Sequence, residues 1–293
     1  MMVAGHCSLL IGCLLMASAV AFAPSNPRRL SQTVSSQSQL RAAPDDVDFM
    51  ASLRTRMDEV GDRDTKLPLV VLDSMLPRQV LKISVSNPVF MELIRTRLVE
   101  ENPCFGMLGM ARLQTGEQVH LRSGVEVQIV GKPKVLDDGI KLQLQATRRF
   151  RIDGDVENAK EGWTEGRVRF LDSVEEEAKE EETDGIMLAR AMSKARKLEP
   201  LVDQWIELAR ESERQPGQID QLLLDLGDIP DDDEPSERAF WVGALINPIP
   251  AMGVALEIRP ALLTAQTADQ RADIALRGIQ NSIQHMNGSK KLF

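Results

Sequence analysis

The sequence predicts an α+β fold in which an antiparallel, barrel-like sheet is followed by a helical half. Three observations carry this expectation. Apolar residues alternate at Val125, Val127 and Ile129, and again at Ile140, Leu142, Leu144 and Ala146, on either side of Asp137-Asp138-Gly139. That is the pattern of two half-buried strands joined by a turn. Beyond Leu171 the apolar spacing becomes helical, with Leu198, Leu201, Val202, Trp205, Leu208 and Ala209 on one stripe. The strand-like runs are short and adjacent in sequence, which favours antiparallel neighbours.

Residues 1–43 read as an address that precedes the fold. Leu9–Ala21 is an apolar run of 13 residues, short of the ~20 that cross a membrane but suited to a signal-peptide core. Ala19-Val20-Ala21 supplies a small-x-small cleavage pattern, although no Lys or Arg precedes the core. The stretch from Phe22 to about Ala43 is rich in Ser, Gln and Arg and has no acid, which is transit-peptide chemistry. Ala21-Phe22-Ala23-Pro24 resembles the junction of the bipartite presequences of algae with complex plastids. Import into the plastid stroma is expected on that resemblance, with secretion as the alternative.

Residues 44–66 are expected to hold a short helix and a linker, since Phe49, Leu53, Met57 and Val60 recur at helical spacing. A β-rich unit is expected over 67–171. Leu67–Leu72 and Gln79–Val85 read as strands, and Asn87-Pro88 as a helix start that places Phe90, Leu93, Ile94 and Leu98 on one face. Strand character resumes from Phe105 to Leu113 and runs through Phe150, Ile152, Trp163, Val168 and Phe170. A helical unit is expected over 172–293. It opens with eight acids and one Lys in Asp172–Asp184, read as a solvated connector or helix start. Pro200 is expected to kink or restart a helix. Ser236 is read as a helix cap, and Thr267-Ala268-Asp269-Gln270 as a capping box.

Composition excludes several functions. The net charge is -9, and removing Arg28, Arg29 and Arg41 with the acid-free stretch makes it more negative. Aromatics are only 4% and Tyr is absent, so a basic, base-stacking nucleic-acid surface is not expected. There is no phosphate-cradling G-x-x-x-x-G-K-[ST] run, no G-x-S-x-G, no H-E-x-x-H and no Gly-rich dinucleotide fingerprint. Cys104 stands alone in the mature part, and His6, His120 and His285 are scattered without ligand spacing. No catalytic residue, metal or cofactor is expected, and no membrane span in the mature chain.

Leu67-Pro68-Leu69, Leu76-Pro77, Leu81 and Ile83, with a helix near Phe90, open a series of weak motifs. Phe105-Gly106-Met107, Gly124–Val130 and Leu136–Gly139 follow, then Arg148-Arg149-Phe150-Arg151-Ile152. The helical part adds Phe240–Pro248, Glu257–Leu263 and Arg271. In this order the series, from Leu67 to Ile283, resembles the N-terminal substrate-binding domain of Lon proteases. The family's aromatic-acid-Pro-Arg-aromatic motif is reduced here to Pro88 and Phe90. The resemblance implies a PUA-like β pseudo-barrel followed by a helical bundle, without catalysis. It implies a module recognising unfolded or client polypeptides, or a protease or chaperone partner. The alternative is an RNA-associated PUA-like protein, and a third reading is a hydrolase with a nonstandard site.

Trp163, Trp205 and Trp241 fall among Leu and Val and read more readily as core than as anchors. Asn247-Pro248-Ile249-Pro250 would make a stiff loop presenting Ile249 and Met252 at low entropic cost. An ordinary helix–helix connection accounts for the same residues. The candidate peptide-binding residues are therefore Trp241, Asn247, Pro248, Ile249, Pro250 and Met252.

Overall fold

In the computed structural model of the protein the described residues are 66–99, 103–112, 115–213 and 215–289. The segment read as an address and the helix expected around Phe49–Val60 lie outside them. The α+β class expected from the sequence is the one observed.

The first half holds β1 (Lys66–Val70), β2 (Val80–Val85), α1 (Pro88–Arg97), β3 (Cys104–Arg112), β4 (Gln118–Val135), β5 (Ile140–Asn158) and β6 (Thr164–Leu171). The strands form one sheet in the order β2-β5-β4-β3-β1-β6, with β5 also pairing to β6. β5 can serve both partners because it is 19 residues long. Ile140–Gln145 holds β2, and Arg149–Asn158 holds β6. The pairings therefore run from β5 through β4, β3, β1 and β6 back to β5. All are antiparallel except β1 with β3. There β2 and α1 intervene, and such a crossover is what a parallel neighbour requires.

Local chemistry accounts for the turns. Leu136 N donates to Gly139 O at 2.8 Å between β4 and β5. Asn87 has extended dihedrals, and its side chain accepts from Phe90 N at 3.0 Å, while Pro88 takes the first helical position, where no N–H is needed. Leu76-Pro77-Arg78-Gln79 turns into β2 with Gln79 N donating to Leu76 O at 3.2 Å, and Arg78 has φ 71°. Proline second and a left-handed third residue define a type II turn.

The second half holds α2 (Ser173–Arg196), α3 (Leu198–Glu211), α4 (Gln218–Leu226), α5 (Pro235–Ile246), α6 (Arg259–Thr264) and α7 (Ala268–Met286). Pro200 lies in the first turn of α3, where its missing N–H breaks no helical bond. α5 is the centre of the half. Every residue of it but Glu237 is buried, and it contacts α2, α4, α6 and α7. Gly243 makes that packing possible, since a Cβ there would lie 2.3 Å from Leu262 Cδ1 and 2.8 Å from Leu76 Cδ1. One apolar core joins the halves, running from Leu81 and Leu144 to Trp205, Phe240 and Ala244. A smaller cluster of Leu67, Leu69, Phe150, Ile152 and Val168 sits among β1, β5 and β6.

Two sequence expectations change on folding. The acids at the start of α2 are not all solvated. Glu177 is buried and accepts from Ser236 N at 2.9 Å, while Glu176 meets Arg149 at 2.7 Å and Arg271 at 3.3 Å. Ser236, expected as a cap, is instead a fully buried partner whose hydroxyl accepts from Arg271 Nε at 2.8 Å. Both guanidinium groups lie over the Phe240 ring, at 4.5 and 5.8 Å from its centroid, the arrangement in which a ring face attracts a cation.

Candidate functional site

A cleft of about 660 Å³ lies where three segments meet: the start of β2, the loop after α5, and α4 with the turn before it. Each segment is fixed by its own chemistry.

The loop after α5 is held at several points. Asn247 Nδ2 donates to Leu256 O at 3.0 Å, and its Oδ1 accepts from Ile258 N at 3.2 Å, so one side chain bridges the loop. Ser282 Oγ donates to Val254 O at 2.8 Å while accepting from Trp205 Nε1 at 2.8 Å. At the far end Arg259 binds Glu257 at 2.5 Å and Asp73 at 3.4 Å. Met252 is buried, Ile249 is half-buried and Pro250 is exposed, with a cis Ile249–Pro250 bond. A loop braced this way presents its apolar residues without an ordering cost on binding.

Gln79 ties this loop to the sheet. It is buried, and its Nε2 donates to Asn247 O at 2.9 Å and to Ala244 O at 3.3 Å, while its Oε1 accepts from Leu76 N at 2.9 Å. The opposite wall is α4, capped by Glu213, whose carboxylate accepts from Gly217 N at 3.0 Å and Ile219 N at 2.8 Å. α4 buries only Ile219 and Leu226. It turns Gln218, Gln221, Leu222 and Asp225 to the cleft. Lys82 on β2 and Asp225 form an ion pair at 3.8 Å, and Gln221 Nε2 donates to Asp225 at 2.8 Å.

The cleft thus combines apolar surface from Leu222, Ile249 and Met252 with amide groups and one neutralised charge pair. Such a lining supports contact and hydrogen bonding. Among the described residues no group of three His, Cys, Asp or Glu could hold a metal ion, and no helix is long and apolar enough to cross a membrane.

Of the residues singled out in the sequence, Pro248, Ile249, Pro250 and Met252 line the cleft together. Asn247 stands behind them as the brace. Trp241 is apart from them. It is buried, donates from Nε1 to Gly227 O at 3.0 Å, and borders a separate hollow of about 410 Å³ with Val202, Ile206, Leu223 and Ile229. Trp163 and Trp205 are buried as well. The wall from Gln215 to Leu226 was not foreseen. Pro216-Gly217 and Gly227 bracketing Ile219, Leu222, Leu223 and Leu226 at helical spacing is the pattern that marks it.

The fold that carries this cleft has its counterpart in a known family of substrate-binding domains. The profile of the ATP-dependent protease La (LON) substrate-binding domain matches residues 66–279, and the chain belongs to that family. Among solved structures the chain is similar to the Lon N-terminal domain protein from Xanthomonas campestris, at 19% identity over 71% of this chain and 95% of that one, with a TM-score of 0.39. It is also similar to the N-terminal domain of the Mycobacterium avium complex Lon protease, at 15% identity over 73% and 98%, with a TM-score of 0.43. Comparison with curated proteins gives no match.

Proposed function

We propose that the protein recognises unfolded or client polypeptides, or a protease or chaperone partner, through the cleft between β2, α4 and the Pro248–Met252 loop. The carrying observation is that a braced loop sets Ile249 and Met252 beside Leu222 in a hollow edged by amides. Apolar anchors with a few placed polar groups are what polypeptide recognition draws on. Membership of the Lon substrate-binding family supports the same class of function. We assign no catalytic step to the chain.

Titration calorimetry with a reduced, carbamidomethylated and therefore unfolded protein tests this reading. Binding with a negative heat-capacity change is expected, because apolar surface leaves water. Ile249→Asp should weaken it about ten-fold or more, since a carboxylate would then have to be desolvated. No binding, or binding indifferent to that substitution, would reject the cleft.

The site of action is proposed to be the plastid stroma, on the support of the Leu9–Ala21 core and Ala21-Phe22-Ala23-Pro24. A fluorescent fusion to residues 1–43 should enter the plastid in an alga with a complex plastid. Secretion of the fusion would reverse the assignment.

A further inference from the structure

We propose that the cleft takes its polypeptide as an added β-strand, hydrogen-bonded along the free edge of β2. This inference rests on the peptide-binding reading above and names its geometry.

Among the described residues β2 is the end strand of the sheet order, paired with β5 and with no other strand. Which of its groups face outward follows from register. Val80 lies opposite Gln145 and Leu81 opposite Leu144, and Ala146 N donates to Gln79 O at 2.9 Å. Antiparallel bonding alternates residue by residue. Leu81, Ile83 and Val85 therefore turn their N–H and C=O toward β5, and Val80, Lys82 and Ser84 turn theirs away from it. No hydrogen bond to these outward groups is found among the described residues. An open row of donors and acceptors is a template for another strand.

The surroundings of that edge fit an extended chain. The cleft begins on β2 itself, at Gln79, Val80 and Lys82, and faces Gln215, Gln218 and Gln221 across it. Side chains of a strand alternate in direction. One set of an added strand would meet Leu222, Ile249 and Met252, and the other would stay in water. Lys82 and Asp225 neutralise each other at 3.8 Å, which favours an uncharged segment over an acidic or basic one. The occupant is thus an extended stretch of about five residues alternating apolar with uncharged polar side chains.

The test uses the full chain and an end-capped ten-residue peptide alternating Leu or Val with Ser or Gln, with affinity read by fluorescence anisotropy. Two further peptides carry backbone N-methyl groups, one on odd residues and one on even. Strand addition requires that one N-methylated peptide bind about ten-fold or more weakly, while the other stays within about three-fold of the parent. On the protein side, Lys82→Pro removes an outward N–H without breaking a β2–β5 bond, and Lys82→Ala keeps that N–H. The Pro variant should lose about ten-fold relative to the Ala variant. Equal effects of the two N-methylated peptides, or equal affinities of the two variants, would overturn strand addition while leaving peptide binding in place. Absence of any peptide binding would remove both. A dimer in sedimentation that Lys82→Pro converts to monomer would place a second copy on the edge instead, and would also overturn the proposal.

Discussion

The side-chain amide of Gln79 donates to the main-chain oxygen of Asn247 at 2.9 Å, so the residue that leads into β2 also holds the end of α5. Sheet and helices meet at this bond, with Gln79 lining the cleft and Asn247 behind it. Gln79→Leu keeps the bulk but leaves Leu76 N, Ala244 O and Asn247 O without their partner. Unfolding by urea should show a loss of about 3 kcal/mol, the scale of leaving buried polar groups unpaired. An unchanged midpoint would show that neighbouring groups replace these bonds.

Arg78 has φ 71° in the turn before β2. A side chain in the left-handed region costs ~1 kcal/mol that glycine avoids. The contact offsetting it, Arg78 Nη1 to Asp228 O at 3.3 Å, is long and exposed. Arg78→Gly should therefore raise stability by ~0.5 kcal/mol and lift Tm slightly. A fall in Tm would show that the contact with Asp228 outweighs the backbone strain.

Asn247 bridges its loop with a donor and an acceptor on one side chain. Asn247→Asp keeps the acceptor for Ile258 N and sets a carboxylate against Leu256 O. Amide exchange across 248–258 should quicken, and affinity for unfolded protein should fall several-fold with the fold retained. Unaltered exchange would show that Arg259 and Ser282 suffice to hold the loop.

Burial raises the Glu177 pKa above its ordinary 4.5, overcoming the hydrogen bonds from Ser236 and the Arg271 charge that lower it. The folded protein then keeps this proton at pH values where the unfolded chain has released it. The resulting stability is complete below 4.5 and is lost as pH rises through the folded value. Glu177→Gln preserves a neutral acceptor for Ser236 N and does not titrate. Its stability relative to the wild type should rise with pH from 4.5 upward and then level off. A difference that does not vary with pH would contradict the raised value.

Much of the fold was legible because burial imposes a period. Val125, Val127 and Ile129 alternate since all three enter the apolar core, and Val202, Trp205 and Ala209 recur since one face of α3 is covered. Period carries no information about partners, so the parallel β1–β3 pair left no trace in the sequence. α5 hid its role for a related reason. Helices buried on nearly every side have no polar face to set their orientation, and Trp241 could be placed near Pro248 in sequence but not in space. Glu176 and Glu177 sat in a run of acids that composition alone reads as solvated; their partners, Arg149, Arg271 and Ser236, come from distant elements. For the candidate site, the stiff loop was visible from its prolines. The α4 wall was not, because apolar spacing marks a helix over these nine residues without telling what its polar side faces.

The central claim is that polypeptide binds in the cleft bounded by β2, α4 and the Pro248–Met252 loop. Hydrogen–deuterium exchange of the full chain, with and without an excess of unfolded carbamidomethylated protein, tests it most directly. The account expects added protection at Val80, Lys82 and Ser84, along 218–226 and across 249–253, with the remaining sheet unchanged. Protection confined to the hollow beside Trp241, or to the outer face of α2, would contradict it.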